Sequence, residues 1–241
     1  MPSILFCGDP HSSFRHIIRA VDKHAPEAIV LLGDQTCEQP LEVELAEISH
    51  KTKIYWIGGN HDTDNDKYYD NLFESKLKGR NIQNGVIGVA GITIAGIGGV
   101  FREKLWNGNE DSNLSPANYL KSCGASNKWR GGLPLRYRST IFPSQVKDLA
   151  GMHVDVLVTH EAPDLHRHGN AALTRLAESL RVKKAFHGHH HQFIDYPGGV
   201  WTGVSLRGIV ALDTETFELT QIDAGQISTK PMRDIAEPRP R

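Results

Sequence analysis

The sequence predicts an α/β fold, on three observations. Short apolar runs of strand type alternate with helical stretches between Ser3 and Ile57. The runs end abruptly, in glycine followed by aspartate, asparagine or histidine. Strand–helix–strand–helix–strand order then predicts a parallel sheet with right-handed crossovers.

Residues 3–7 read as a buried strand that ends in Gly8-Asp9-Pro10-His11. Phe14, Ile17, Ile18 and Val21 have the i, i+3, i+4, i+7 spacing of an amphipathic helix, with Ser12 or Ser13 as N-cap and Pro26 as the stop. Residues 28–32 form a second strand that ends in Gly33-Asp34. Pro40 suits the start of a second helix, where its missing N–H has no bond to lose, and Leu41, Leu45 and Ile48 share one face of it. Residues 53–57 are the third strand, which ends in Gly58-Gly59-Asn60-His61-Asp62. The two glycines let the backbone turn sharply and let a ligand come close.

Residues 86–89 and 92–95 flank Ala90-Gly91 and predict a hairpin. Periodicity is lost from Phe101 to about Phe142, which predicts an irregular insertion over one edge of the fold. Pro143 opens a helix and Gly151 closes it. A fourth strand, 155–158, ends in Thr159-His160-Glu161; a helix over 171–180 leads to a fifth strand, 184–186, which ends in His187-Gly188-His189-His190-His191. Residues 200–204, 209–212 and 217–222 look like a closing antiparallel meander. Residues 1–225 are expected to hold the fold, with the insertion at about 101–142, and the polar stretch 226–241 to be a disordered tail.

Composition narrows the class. A chain of 241 residues suits one large domain or two small ones. A net charge of -1 gives no global drive toward nucleic acid or anionic membranes, so either attraction would need a local patch. No apolar run is long enough for a membrane-spanning helix, and the N-terminus lacks the basic and apolar regions of a signal peptide. Cys7, Cys37 and Cys123 are odd in number and form no C-x-x-C pair, which suggests a reducing, cytoplasmic setting.

Ligands of open α/β sheets gather beyond the carboxyl ends of the strands. Five predicted strands end there in Asp9 and His11, Asp34, Asn60 and His61, His160, and His189 and His191. Alone, an aspartate after a strand is commonly a helix cap, and a lone histidine a satisfied core or loop residue. Five such ends in one chain favour convergence on a bound group. Oxygen and imidazole donors without thiolate favour Mn, Fe, Zn or Ni, and the number of donors favours two divalent ions over one. Asp164-Leu165-His166-Arg167-His168 reads as a solvated loop or, because it starts from a candidate ligand, as one whose His166 and His168 contact substrate.

In order and spacing the pattern resembles the calcineurin-like metallophosphoesterase superfamily, whose marks are D-x-H, G-D, G-N-H-D or G-N-H-E, a lone H, and G-H-x-H. Here they stand as Asp9-Pro10-His11, Gly33-Asp34, Gly59-Asn60-His61-Asp62, His160 and Gly188-His189-His190-His191. The resemblance implies a four-layer fold, a β-sandwich flanked by helices on both sides. It implies that Asp9, His11 and His191 hold one metal, Asn60, His160 and His189 a second, and that Asp34 bridges them. His61 would face the leaving group without ligating. Many members carry an acid or amide three residues after the bridging aspartate, where this chain has Cys37. The arginine-bearing signatures of phosphoprotein and dinucleotide tetraphosphate phosphatases do not follow Asp34, which demotes those substrates.

The expected activity is metal-dependent hydrolysis of a phosphodiester on a phosphorylated small molecule or nucleotide. A bridging hydroxide would be the nucleophile and His61 the general acid. A phosphomonoesterase or a nuclease would use the same site, and a non-catalytic scaffold is the distant rival. The insertion carries Arg102, Lys104, Lys121, Lys128, Arg130, Arg136 and Arg138 against Glu103, Glu110 and Asp111. It reads either as a solvated surface or as a lip that collects an anionic substrate.

Overall fold

The computed structural model describes residues 3–108 and 111–226. Its elements run β1 (Ser3–Cys7), α1 (Arg15–His24), β2 (Ala28–Leu31), α2 (Leu41–Glu44), β3 (Lys53–Trp56), α3 (Asp66–Phe73), β4 (Gly85–Val89) and β5 (Ile92–Ile97). There follow α4 (Pro116–Ser122), α5 (Pro143–Leu149), β6 (Val156–Thr159), α6 (Ala171–Leu180), β7 (Lys184–His187), β8 (Ile194–Asp195), β9 (Trp201–Gly203), β10 (Ile209–Asp213) and β11 (Leu219–Asp223).

The strands form two sheets, ordered β11-β10-β1-β2-β3 and β4-β5-β6-β7-β9-β8. β1, β2 and β3 are parallel, as are β5, β6, β7 and β9. Alternation along β1 shows how the layers are built. Ile4 and Phe6 point between the sheets, while Leu5 and Cys7 point out toward Ile17 and Val21 of α1. Both faces of the strand are covered, so its sequence is continuously apolar and not alternating. Phe6 stacks on Phe186 of β7 across the sandwich, with ring centroids 3.9 Å apart. A third apolar layer packs Leu173, Leu176 and Leu180 of α6 onto Leu157 and Ala185 of the second sheet. Each fully buried side chain of this size contributes about 1.5–3 kcal/mol. The result is the sandwich flanked by helices on both sides.

Local outcomes differ from expectation in three places. α2 stops at Glu44 and continues as turns, although Leu41, Leu45 and Ile48 stay buried. α3 was not foreseen: Asn65 caps it by accepting from the Tyr68 N–H, and only Tyr69 and Leu72 are buried in a polar stretch. The closing meander is divided between the sheets. β9 runs parallel beside β7, whereas β10 and β11 join the first sheet beside β1. The tail beyond Gln226 and Glu110 of the insertion lie outside the described residues. No helix among the described residues is long and apolar enough to cross a membrane.

Candidate active site

The parallel strands of the two sheets end at one edge of the sandwich, and their loops meet there. The loop after β6 places His160 against the loop after β2: its Nδ1 donates to Leu32 O at 2.8 Å. The loop after β7 reaches that after β1, the His189 N–H donating to both carboxylate oxygens of Asp9 at 3.1 and 2.9 Å. The loops after β2 and β3 are tied by Asp62, which is buried and accepts from the Thr36 N–H at 2.7 Å and the Gly59 N–H at 2.8 Å. Close approach explains two of the motif glycines. A β-carbon on Gly33 would sit 2.2 Å from His160 Nδ1, and one on Gly59 2.2 Å from Asp34 Oδ1.

Three groups of ligand-type atoms, each within 4.8 Å of one another, result: His11, Asp34 and His191; Asp34, His160 and His189; and Glu161, His189 and His190. Asp34 belongs to the first two. In the first, His11 Nε2 lies 3.2 Å from His191 Nε2 and 3.8 Å from Asp34 Oδ2. In the second, His160 Nε2 lies 3.4 Å from Asp34 Oδ2 and 3.1 Å from Asn60 Oδ1. Asp9 stands apart from the first group. It is turned to the His189 N–H, and its Oδ1 is 3.6 Å from His160 Nδ1.

The donor set fits divalent metal. Asp34 Oδ2 is buried without a hydrogen-bond partner among the described residues, yet it faces His11 and His160. A buried unpaired carboxylate oxygen is costly, and a cation between these groups removes the cost. Two imidazole nitrogens on one tetrahedral ion lie roughly 3.3 Å apart from the usual metal–nitrogen bond; His11 and His191 stand at 3.2 Å. Because His160 donates through Nδ1, its Nε2 is the nitrogen left to ligate.

Electrostatics agree. Burial pulls His189 and His191 down to about 4 and lowers His11, so all three imidazoles are neutral at pH 7, the form that binds metal. Burial likewise opposes charge on His160, but Asp34 and Asp9 outweigh it and push His160 up to about 10. Asp34 is held below the usual carboxylate range: burial pushes it up, and the charge of His160, 3.4 Å away, with the His61 N–H on Oδ1 more than reverses that. Burial raises Asp9 to about 8. A metal bound here displaces protons, so its affinity falls in acid.

His61 diverges from its neighbour Asn60. Its N–H donates to Asp34 Oδ1 at 2.8 Å, its ring centroid is 5.6 Å from that of His11, and its Nδ1 donates to Asp64 Oδ2 at 2.6 Å. The two residues flank one 3₁₀ turn, where side chains three apart eclipse. The Cys37 thiol makes no hydrogen bond among the described residues, and its carbonyl accepts from Asn71 Nδ2 at 2.9 Å. The side chain packs among Leu41 and Leu45 behind the first sheet, where burial pushes its thiol up.

Glu161, His190 and His166 had no assigned role, and the solvated-loop reading fails for His166. That ring is 2% exposed and stacks on His190 with centroids 3.8 Å apart. Glu161 accepts from His190 Nε2 at 3.2 Å and lies 4.0 Å from His189 Nε2. The available signal was an acid directly after a candidate ligand. The insertion's arginines also differ from the lip reading. Arg130 pairs with Asp70 and Asp66 of α3, and Arg138 donates to Tyr69 Oη at 2.7 Å. Arg102 donates to Thr140 Oγ1, Ser139 Oγ and Arg136 O. Ser139 in turn meets Thr63 Oγ1 of the His61 turn at 2.7 Å. These arginines pin the insertion down; only the Arg136 guanidinium has no hydrogen-bond or ion-pair partner among the described residues.

The model of the calcineurin-like phosphoesterase family matches residues 2–193, and the chain belongs to that family. It is thereby a metal-dependent hydrolase acting on phosphoric ester bonds. An uncharacterized protein of Haemophilus influenzae is 38% identical over 194 residues, 80% of this chain and 85% of that protein. One solved crystal structure shares the fold at a TM-score of 0.54 and 14% identity, over 93% of this chain and 100% of the other. An archaeal phosphodiesterase aligns over 92% of this chain and 99% of its own at 14% identity, but at a TM-score of 0.42 the likeness carries no argument.

Proposed function

We propose that the enzyme hydrolyses phosphodiesters with two divalent transition-metal ions. Asp9, His11 and His191 serve one, Asn60, His160 and His189 the other, and Asp34 both. The observation that carries this is Asp34, a buried carboxylate common to two ligand groups whose Oδ2 has no hydrogen-bond partner among the described residues. The donors are nitrogen and oxygen without thiolate, which suits Mn, Fe, Zn or Ni. Bound ions supply charge to meet the phosphoryl oxygens and acidify the attacking water.

The chain's own residues do the rest. His61, held at Nδ1 by Asp64, presents Nε2 to the leaving oxygen and gives it a proton, while the ring keeps its Nδ1 proton in the hydrogen bond to Asp64. A diester suits the surroundings better than a monoester, because Glu161 beside His189 disfavours a second charge on the phosphate. Three free cysteines, two of them buried, fit a reducing, cytoplasmic setting.

The test compares an aryl phosphodiester with its monoester on protein of measured metal content. Faster turnover of the diester, abolished by a chelator, is expected at about two ions per chain. Preference for the monoester would replace the substrate class, one ion per chain would remove the role of Asp34 as a bridge, and no turnover of either would favour a scaffold.

A further inference from the structure

A cavity of about 480 Å³ adjoins the centre, lined by Phe101, Glu103, Asn107, Glu161, His168 and Asn170. Glu161 joins the two, since its Oε1 is 4.0 Å from His189 Nε2. The far wall is fixed: Asn170 Oδ1 accepts from the Ala172 N–H at 2.9 Å and its Nδ2 donates to Asn107 O at 2.6 Å. Phe101 closes one side and leans on Trp106, with centroids 5.4 Å apart.

We infer that this cleft receives the ester group that stays on phosphorus, and that this group is not anionic: it is a hydroxylated or ammonium-bearing alcohol. The inference rests on the diester hydrolysis proposed above. Its first support is position. His61 stands on the loop after β3 in the first sheet, whereas the cleft borders the loop after β6 in the second. With the leaving group at His61, the retained group falls on the opposite flank.

Its second support is charge. The described lining residues include two carboxylates and no lysine or arginine. Glu161 is already engaged by His190 and by the Ala162 N–H. Glu103 is different: it is exposed and has no hydrogen bond or ion pair among the described residues. Its neighbour Arg102 does not answer it, being turned to Thr140 and Ser139. A phosphate or carboxylate in the cleft would meet like charge with no lysine or arginine among the described lining residues. A hydroxyl or ammonium would find acceptors, and an ammonium gains further against an aromatic face such as that of Phe101.

Hydrolysis leaves the retained group on a phosphate monoester, so such monoesters probe the cleft without turnover. The experiment measures binding of phosphocholine, methyl phosphate and phosphoglycolate to the manganese-loaded protein by calorimetry. Affinity should fall in that order, with at least about tenfold between first and last, the value for opposite unit charges some 6 Å from a carboxylate even at the dielectric of bulk water. Glu103→Gln, at an exposed position, should compress the range and improve phosphoglycolate most. Equal binding of the three, tighter binding of phosphoglycolate, or an order untouched by Glu103→Gln overturns the inference. Turnover of an aryl diester in the same preparation reads the parent proposal separately. Turnover without the ranking removes the cleft's role alone; the ranking without turnover removes the hydrolysis alone.

Discussion

The two flanks of this centre are built in opposite ways. On the His61 flank, His61 and Asp64 are about half exposed, 47% and 53%, and the ion pairs of Arg130 with Asp66 and Asp70 lie at the surface, beside a buried Ser139–Thr63 hydrogen bond. On the other flank, Glu161, His166 and His187 are buried and layered, with His187 Nε2 meeting Tyr196 Oη at 3.0 Å. Exposed ion pairs contribute roughly 0–1 kcal/mol, whereas a buried polar group that loses its partner costs about 1–3 kcal/mol. The first flank therefore separates rate from stability. The second couples them.

The sharpest test of that separation is His61→Ala. General acid catalysis contributes typically about 10²–10⁴-fold, and a loss of that size is expected on a diester with a poor leaving group. The loss should shrink for nitrophenolate, which needs little protonation. Melting temperature and metal content should stay near wild type, unlike those of His189→Ala. An equal loss on both leaving groups, or a lost ion, would remove His61 from the proton's path.

A smaller effect is expected from Asp64→Asn. A charge-assisted hydrogen bond worth roughly 1.5 kcal/mol is about one decade of rate, and the loss should again appear on poor leaving groups in kcat with KM unchanged. Asp64→Glu should restore part of it. A change in KM alone would mean that Asp64 binds substrate and does not position His61.

On the second flank, Glu161→Leu strands His190 Nε2 beside the stacked His166. Stability should fall by about 1–3 kcal/mol, readable as a lower denaturant midpoint. An unchanged midpoint would erase the contrast between the flanks.

The smallest effect lies behind the first flank, at His16 on α1, where burial pulls the imidazole down to about 4, with Arg207 and Arg19 adding to that and Asp223 opposing it. A folded-state pKa below the unfolded one means that the unfolded chain takes up the proton first. Stability is thus unaffected above about pH 6.5 and falls as the pH drops from there toward 4. Discounted for partial solvent access, the loss is about 1 kcal/mol. His16→Gln should flatten that part of the acid limb, and an identical limb would assign it to other groups.

Much of this was legible in the sequence because strand ends carry their chemistry in a few adjacent residues. That Asp34 and His160 follow strand ends could be read from the sequence. What could not be read was which sheet a strand joins. Residues 201–203 and 209–213 are both apolar runs after turns, and nothing local says that β9 pairs with β7 while β10 pairs with β1. α3 was hidden because its apolar residues are few and sit among Asp66, Lys67, Asp70 and Asn71. The arginines of the insertion misled for the same reason: a count of charges does not show that Asp66 and Asp70 lie opposite Arg130.

One feature of the loops constrains how such a site can diverge. Asp9, His11, Asp34, His189 and His191 all have left-handed backbone, with φ of 32°, 40°, 50°, 68° and 59°. Outside glycine, asparagine, aspartate and histidine are several-fold enriched in that region. Backbone and chemistry therefore select from the same short alphabet. A descendant of this chain can exchange one of these donors for another at modest conformational cost and so drift among metals, while replacement by valine or isoleucine strains the turn and loses the ligand. The site's evolutionary neighbourhood is rich in other metal centres and poor in inert ones.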